Sequence, residues 1–347
     1  MTHASMAGPL EGLGRWEGWR LRRLGQGVPT ADDFAWDVAD HAPLADEQVR
    51  VRHEAWSIDP YMRSRMRADP GYAPPQALGE VMLGATVGVV QESRHPEWPV
   101  GQQVLGFGGW QSHQVLGADG LSSLLRLPPG VPASLFFGAL GMPGITAWYA
   151  LEQVLRLTSR DRVWIDAAAG GVGLVACQWA RRLGAEVVAV VGDEAKAAEL
   201  RRLGFDPLVI GRRGSQASDI TRRVLQRCPE GLTAMVEQVG GVWWEGALGA
   251  CAPHARCALV GLAAGYDDTP VPLDANLLIA RRVSVQAFII SEHRAWWPQA
   301  RSELLSAYLE GSLQVLEDTM QGLRNAPFAL ARVVRGDNVG KMVLTAA

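Results

Sequence analysis

Cysteine is scarce in this chain of 347 residues, and its four cysteines form no recognisable pattern. None of them belongs to a C-x-x-C pair, and the first, Cys177, lies in the second half of the chain. The sequence therefore predicts neither a disulfide framework nor a cysteine-based zinc cluster. We expect Cys177 to be a small core residue, because it lies beside the apolar stripe of a predicted helix.

An excess of charge of one sign is also lacking, because 33 basic residues face 36 acidic residues. Such a balance gives no field that would gather nucleic acid or an anionic membrane. No apolar run approaches the roughly 20 residues that a membrane-spanning helix needs, and the N-terminus lacks the apolar core of a signal peptide. We therefore expect a cytoplasmic protein that binds neither nucleic acid nor membranes.

The strongest positive signal is a glycine-rich turn between a strand pattern and a helix pattern. Val163–Ile165 predicts a strand, and the apolar residues that follow the turn recur with a helical period. The turn reads A-x-G-x-x-G, with alanine in place of the first glycine of the dinucleotide-binding fingerprint. Glycines let the backbone approach a pyrophosphate, and the N–H groups at the helix N-terminus point at it. The predicted cofactor contacts are Gly170, Gly171, Val172 and Gly173; glycines that serve packing alone are the alternative.

Two kinds of pattern divide the chain. Residues 1–136 contain short strand-like runs broken by glycine and proline, which is typical of a β-rich domain. Six strand-like runs then alternate with helix-length segments, which predicts an α/β domain with a doubly wound parallel sheet over 137–312. The runs are 163–166, 187–191, 208–210, 234–239, 256–261 and 283–290. The tail 313–347 ends in a strand-like run and is expected to return to the first domain.

Four stretches resemble the medium-chain dehydrogenase/reductase superfamily, and within it the zinc-free branch of prostaglandin reductases and alkenal double-bond reductases. They are Trp56–Met66, Leu140–Tyr149, the glycine turn and Arg335–Lys341, in the family's order. The resemblance covers nearly the whole chain after about residue 18. It implies a GroES-like catalytic domain at 1–136, completed by 313–347, and a Rossmann domain at 137–312. It also implies a homodimer formed through the edge of the Rossmann sheet.

Members of the superfamily that use zinc carry a Gly-His-Glu motif and a four-cysteine lobe, and this chain has neither. Leu78-Gly79-Glu80 stands in the matching region, and Glu80 alone cannot complete a tetrahedral site. The spacing of the histidines in the first domain does not suggest a ligand set. We therefore expect no metal, and no alcohol oxidation through a zinc alkoxide.

The choice between NADPH and NADH depends on residues beyond the second strand of the parallel sheet. Lys196 matches the family's lysine that marks a preference for the 2′-phosphate of NADPH. Asp193 stands where the family often has serine; it would repel that phosphate and could instead bind the ribose of NADH. Gly211 replaces a family tyrosine, and Arg212 or Arg213 could supply its phosphate contact unless both are solvated loop residues. The resemblance implies NADPH, with NADH as the alternative.

The resemblance places the nicotinamide end of the cofactor against the ends of two further strands. Backbone groups there are expected to hold it, with Gln238, which replaces the family's usual asparagine, and Asn338 nearby. The residues at the strand ends are Val260, Gly261, Leu262, Phe288, Ile289 and Ile290. Without the resemblance, the segment 288–290 would be interpreted as the core of a strand.

Two tyrosines are candidates for the chemistry. Tyr266 matches the family tyrosine that faces the carbonyl oxygen of the substrate, and a phenol remains protonated at neutral pH and can donate a hydrogen bond. Tyr61 matches a tyrosine that lines the substrate pocket. The alternatives are a loop aromatic without a role for Tyr266 and simple packing beside Pro60 for Tyr61. Asp267 replaces the family's asparagine next to Tyr266.

Taken with these residues, the resemblance implies an NADPH-dependent reductase of the C=C bond in α,β-unsaturated ketones or aldehydes. Hydride reaches the β-carbon, negative charge appears on the carbonyl oxygen, and a proton then reaches the α-carbon. A quinone reductase on the same zinc-free fold is one alternative. A nucleotide-binding protein without turnover is another.

Overall fold

The computed structural model describes residues 15–68, 71, 73–211, 214–266 and 270–346. The first part of the chain forms a β-rich layer. Its elements are β1 (Trp16–Leu21), β2 (Phe34–Ala39), β3 (Val49–Ser57), α1 (Tyr61–Arg65), β4 (Thr86–Ser93), β5 (Gln103–Gly106), β6 (His113–Leu116), α2 (Ala118–Leu121) and β7 (Leu125–Arg126). Strands β3, β4, β5 and β7 form consecutive antiparallel neighbours, β6 pairs with β3, and β1 pairs with β2 in a separate sheet.

The middle of the chain alternates strands with helices. Its elements are α3 (Met142–Tyr149), β8 (Arg162–Ile165), α4 (Gly171–Arg182), β9 (Glu186–Val191), α5 (Glu194–Arg202), β10 (Leu208–Val209), α6 (Ala217–Arg227), β11 (Leu232–Glu237), α7 (Gly241–Gly249), β12 (Cys251–Leu259), α8 (Ala275–Arg281), β13 (Ser284–Ala287) and α9 (Trp297–Leu309). The strands are parallel in the order β10-β9-β8-β11-β12-β13. This is the doubly wound order, and it confirms the predicted fold class.

The parallel sheet is covered on both faces, which explains its continuous apolar runs. Val163 and Ile165 of β8 face one apolar core, whereas Trp164 between them faces a second core on the opposite side. Helix α4 contributes Cys177 to the first core, where burial raises the pKa of the thiol above its ordinary value. Cys177 is therefore the core residue that its position predicts. Each of the six predicted runs overlaps a strand, but β13 ends at Ala287, before the segment 288–290.

The tail returns to the first sheet, as the sequence predicts. It contains β14 (Glu317–Gln321), α10 (Ala326–Arg335) and β15 (Lys341–Thr345). Strand β15 pairs antiparallel with β3 and parallel with β14, so that it joins the two ends of the chain in one sheet. The domain boundaries at 136 and 312 stay predictions. In the described part of the chain, no helix combines the length and the hydropathy needed to cross a bilayer.

Candidate active site

The predicted cofactor residues of the middle region lie at the carboxyl ends of the strands of the parallel sheet. The glycine turn follows β8, Asp193 follows β9 and Gln238 follows β11. The segment 260–262 follows β12 and the segment 288–290 follows β13. The strand order reverses between β8 and β11, and ligands of such sheets bind outside the carboxyl ends of the strands at that point. The fold therefore brings these segments to the place where a dinucleotide would lie.

The glycine turn has the geometry of a pyrophosphate cradle. Gly170 is the N-cap of the 12-residue helix α4 and provides no side-chain cap. The first N–H groups of the helix are therefore directed at any anion that binds there. A Cβ at Gly173 would lie 2.7 Å from the Cα of Ala168 and closer still to the carbonyl oxygen of Ala167. Glycine at 173 is thus required for the close approach of α4 to the turn, and the donor set fits a pyrophosphate.

The tail of the chain closes over this turn. The Gly340 N–H donates to the Ala169 carbonyl at 2.7 Å, and Gly340 forms an isolated bridge with Gly170. The side-chain amide of Asn338 donates to the Gly340 carbonyl at 2.8 Å. The structure therefore places Asn338 beside the glycine turn, with its amide nitrogen engaged in holding the turn of the tail.

A buried ion pair that sequence reasoning missed joins the glycine turn to the first sheet. Lys341 Nζ lies 3.1 Å from Asp59 Oδ1 and donates to the Ile58 carbonyl at 2.6 Å, and both charged side chains are less than a tenth exposed. Burial lowers the pKa of Lys341, while the charge of Asp59 opposes that shift. The stem of Lys341 passes within 3.4 Å of the place where Gly171 would carry a Cβ. The sequence signal that could have revealed this ion pair was the position of Lys341 at the start of the apolar strand β15 (Lys341–Thr345).

The predicted NADPH determinant, Lys196, lies in the first turn of α5, just beyond β9, and its side chain is 15% exposed. Its Nζ lies 3.3 Å from Asp193 Oδ2 and donates to the carbonyl oxygen of Gly336. Asp193 caps α5 by accepting the backbone N–H of Lys196 at 2.9 Å. Although burial opposes the shift, these hydrogen bonds and the charge of Lys196 lower the pKa of Asp193. Asp193 thus has a structural role that the sequence interpretation did not include; Arg212 and Arg213 lie outside the described residues.

Gln238 is tied to the first strand of the parallel sheet. Its side-chain amide donates to the Asp166 carbonyl at 2.6 Å, and its backbone N–H donates to Asp166 Oδ1 at 2.9 Å. Its own carbonyl accepts the Ala263 N–H at 2.8 Å, and the Val260 N–H donates to the Glu237 carbonyl at 2.8 Å. The strand ends around Gln238 therefore form one hydrogen-bonded unit with the segment 260–262.

The segment 288–290 is held by aromatic contacts. The ring of Tyr149 stacks on His293 with centroids 4.4 Å apart, and its hydroxyl lies 3.1 Å from His293 Nδ1. The ring of Phe288 lies 5.0 Å from that of Tyr149. The Trp297 indole donates to the Ile290 carbonyl at 3.1 Å. Phe288 and Ile290 are both buried, so this segment has a fixed shape beside the edge of the site.

The two candidate tyrosines pack against the same apolar cluster. That cluster includes Trp56, Met62 and Met66 of the first sheet and α1, and both Tyr61 and Tyr266 are partly buried against it. The hydroxyl oxygen of Tyr266 lies 3.5 Å from the place where Gly261 would carry a Cβ. The structure therefore brings Tyr266 to the backbone of segment 260–262, and it brings Tyr61 to the same wall. Asp267 lies outside the described residues.

Within the described ranges, no group of three histidine, cysteine, aspartate or glutamate side chains could hold a metal ion. The four cysteines are free and buried. Burial raises the pKa of Cys251 to about 12, so that its thiolate is disfavoured as a ligand. That the reaction needs no metal ion stays a prediction, and elemental analysis of the active protein would test it.

A doubly wound sheet whose glycine turn fits a pyrophosphate, joined to a β-rich domain, is the architecture of dinucleotide-dependent oxidoreductases. Residues 17–124 match the family model described as the N-terminal domain of oxidoreductase, and residues 171–306 match the model described as zinc-binding dehydrogenase. The chain belongs to the medium-chain dehydrogenase/reductase superfamily, in the zinc-independent branch of the prostaglandin and alkenal reductases.

Similar proteins of known identity align along nearly the whole chain. The NADPH-dependent curcumin reductase of Escherichia coli K12 is 32% identical, over 95% of this chain and 96% of the relative. Prostaglandin reductase 1 of Oryctolagus cuniculus is also 32% identical, over 94% and 92%. The crystal structure of CurA from Vibrio vulnificus in complex with NADPH superposes with a TM-score of 0.87 at 30% identity, over 95% and 99%. These findings confirm the predicted family and enzyme class, and they agree with the predicted cofactor.

Proposed function

We propose that this protein is an NADPH-dependent reductase of the C=C bond in α,β-unsaturated ketones or aldehydes. The observation that carries the proposal is that the glycine turn after β8 and the segment 260–262 after β12 lie at the same end of the sheet with β11 between them, and that the Tyr266 hydroxyl lies beside Gly261. Similarity to prostaglandin reductase 1 and to a curcumin reductase supports this substrate class. When bound, NADPH supplies the hydride for the β-carbon of the substrate.

We assign the cofactor to residues along this edge. The first N–H groups of α4, at Gly171, Val172 and Gly173, would hold the pyrophosphate. Lys196 would bind the 2′-phosphate. To do so, its ammonium group would leave the Gly336 carbonyl oxygen, to which it donates in the structure, and turn to the phosphate. The nicotinamide would lie against Gln238, Asn338 and the segments 260–262 and 288–290. The side-chain nitrogens of Gln238 and Asn338 already donate to carbonyl oxygens of the protein. Backbone groups of the segments 260–262 and 288–290 would therefore supply the contacts with the nicotinamide.

Tyr266 would stabilise the carbonyl oxygen as it becomes negative. Its hydroxyl lies next to the backbone of Gly261, and a phenol donates a hydrogen bond without the need for a prior proton transfer. Tyr61, packed on the same apolar wall, would shape the pocket for the substrate. Trp56 and Met62 are buried core residues, so the partly buried Tyr61 and Tyr266, which pack on them, would be the side chains that meet the substrate.

Turnover with defined substrates tests this proposal. Purified protein is mixed with NADPH and, separately, with a panel of enones and enals and a panel of quinones. We expect loss of the absorbance of reduced nicotinamide with enones or enals, together with a product saturated at the former double bond. Oxidation of NADPH by quinones alone would replace the proposal with a quinone reductase. Tight NADPH binding without turnover on either panel would indicate a nucleotide-binding protein.

We further propose that the protein is a homodimer that pairs through β13. This strand is an edge of the parallel sheet, its four side chains are exposed, and neighbouring helix α8 has no buried residue. Ile279 of α8 is 75% exposed and Val285 of β13 is 37% exposed; an unpaired edge strand is a template for pairing, and exposed apolar side chains beside it favour an interface. Light scattering should give twice the chain mass, and Ile279→Asp should reduce it to one chain. Leu309→Asp, at an exposed leucine outside this edge, is the control; a monomeric wild type would contradict the proposal.

A further inference from the structure

Helix α3 lies against both halves of the cofactor site that we propose. Near its N-terminus, the Cβ of Pro143 lies 3.5 Å from the place where Gly171, the first residue of α4, would carry a Cβ. At its C-terminus, the ring of Tyr149 lies 5.0 Å from that of Phe288, the first residue of segment 288–290. The rise of the helix between these two contacts is about 9 Å. The helix therefore acts as a spacer between the glycine turn and the segment.

Tyr149 is joined to the segment through His293. The Tyr149 hydroxyl lies 3.1 Å from His293 Nδ1, and the two rings stack with centroids 4.4 Å apart. A phenol and an imidazole can form this hydrogen bond in either direction. The backbone N–H of His293 donates to the Ile290 carbonyl at 3.1 Å. His293 is therefore tied to α3 by its side chain and to the segment by its backbone.

The link lies where the segment leaves the buried core. Tyr149 is 7% exposed and Phe288 is 9% exposed, and both belong to the core cluster that α4 and α9 share, whereas His293 is partly buried. The packing of the Tyr149 ring does not require its hydroxyl, because a phenylalanine would make the same ring contacts. The hydrogen bond with His293 is thus the contribution that is specific to tyrosine at this position.

We propose that Tyr149 and His293 are positioning residues that fix the nicotinamide half of the site at its distance from the pyrophosphate cradle. When their hydrogen bond is broken, α3 and the glycine turn should stay in place, because the Tyr149 ring still packs in the core. Segment 288–290 would lose a tie to α3, and the nicotinamide would bind less tightly. The part of the nucleotide held by α4 and Lys196 would bind as before. The inference rests on the proposed position of the cofactor and is independent of the proposed substrate.

Comparison of NADPH with 2′-phospho-ADP-ribose tests the inference, because this fragment has the pyrophosphate and the 2′-phosphate but lacks the nicotinamide. Tyr149→Phe keeps the ring and removes only the hydroxyl. The dissociation constant of NADPH, measured by titration calorimetry, should rise about threefold to tenfold, which corresponds to one lost hydrogen bond. The dissociation constant of the fragment should stay the same. Equal weakening of both ligands would indicate a purely structural role for Tyr149 and would overturn the inference, as would an unchanged affinity for NADPH.

A double-mutant cycle tests whether the two residues act through their shared contact. His293→Phe keeps a ring for stacking but offers no hydrogen-bond partner, so it should have the same effect as Tyr149→Phe. The double variant should then bind NADPH as each single variant does, and losses that add up would overturn the inference. Should His293→Phe fail to fold, His293→Leu takes its place, because leucine also offers no partner for the hydroxyl.

Glu303→Ala is the matched control, because it removes a hydrogen bond from the neighbouring residue of the same helix. The Trp148 indole donates to Glu303 Oε2 of α9 at 2.8 Å. This variant should melt at a lower temperature and keep the wild-type ratio of the two dissociation constants. A change in the ratio equal to that of Tyr149→Phe would show that any weakening of α3 has this effect, and would overturn the inference. Failure of the wild type to bind either ligand would instead overturn the proposed function.

Discussion

The two halves of the cofactor site that we propose are built in different ways. The pyrophosphate half is local, since one turn of the backbone after β8 and the first turn of α4 would provide its donors. The nicotinamide half is assembled from side chains that are far apart along the chain, such as Asp166 with Gln238. The shape of a backbone cradle is lost when an added Cβ collides with the backbone. The shape of the assembled half is lost when one of its buried polar groups has no hydrogen-bond partner. The first half should therefore be sensitive to bulk and the second to lost charge and hydrogen bonds.

Lys341 connects the pyrophosphate half to the first sheet, and we expect its removal to have the largest effect on stability. Lys341→Met keeps the stem against Gly171 but leaves Asp59 buried without its cation. Breaking one side of a buried pair typically costs about 3–5 kcal/mol, and the melting temperature by calorimetry should fall accordingly. Asp59 lies two residues before Tyr61, so kcat should also fall more than nucleotide affinity does.

The double variant Lys341→Met with Asp59→Leu should recover part of the lost stability, because no unpaired charge is then buried. Recovery of stability without recovery of kcat would support a positioning role for the pair. A single variant as stable as the wild type would show that solvent reaches Asp59 and that the connection is weak.

Added bulk in the cradle should have the next largest effect. A Cβ at Gly173 would collide with the backbone of the turn, so Gly173→Ala must push α4 away from β8. Overpacking of this kind costs about 1–3 kcal/mol, and affinity for both nucleotides should drop together, as titration calorimetry can measure. At Gly117 no atom lies within 4 Å of the place for a Cβ, so Gly117→Ala should change neither quantity. Normal affinity in Gly173→Ala would contradict the cradle.

The contrast between the halves also decides what the sequence could predict. The glycine turn Gly170–Gly173 and the strand before it could be predicted from the sequence because the contacts that form the cradle are local. The doubly wound parallel sheet was predicted from the alternation of six strand-like runs with helix-length segments, whereas the order of the strands came from the structure. The contacts Lys341–Asp59 and Asp166–Gln238 could not be predicted, since nothing local in the sequence shows which buried polar residue meets which partner across the fold. Asp193 was interpreted only as a charge near the cofactor, although an aspartate before a helix is also an N-cap signal.

Lys196 lies outside the cradle formed by Gly170–Gly173. Its substitution tests whether the choice of nucleotide depends on a residue beyond that cradle. A charge-assisted phosphate contact is worth about 1.5–3 kcal/mol, so Lys196→Ala should lower NADPH affinity more than tenfold and leave NADH affinity nearly unchanged. Asp193→Ser should strengthen the preference for NADPH, because serine can also cap α5 but carries no charge. Both effects are measured as the ratio of the two dissociation constants. A wild type that prefers NADH would show that Asp193 outweighs Lys196.

Tyr266 belongs to the assembled half and should have the smallest effect, confined to the chemical step. Tyr266→Phe keeps the ring against the apolar wall that includes Trp56 and Met62 and removes only the hydroxyl beside Gly261. The loss of one oxyanion donor can cost 10²–10³ in kcat. We expect about tenfold here, because the ribose hydroxyl of the cofactor can share the task. Since the hydrogen bond strengthens as charge develops on the substrate, the dissociation constant of NADPH should stay the same. Stopped-flow measurement of hydride transfer with the best enone separates the two quantities, and full activity in the variant would reduce Tyr266 to a pocket wall.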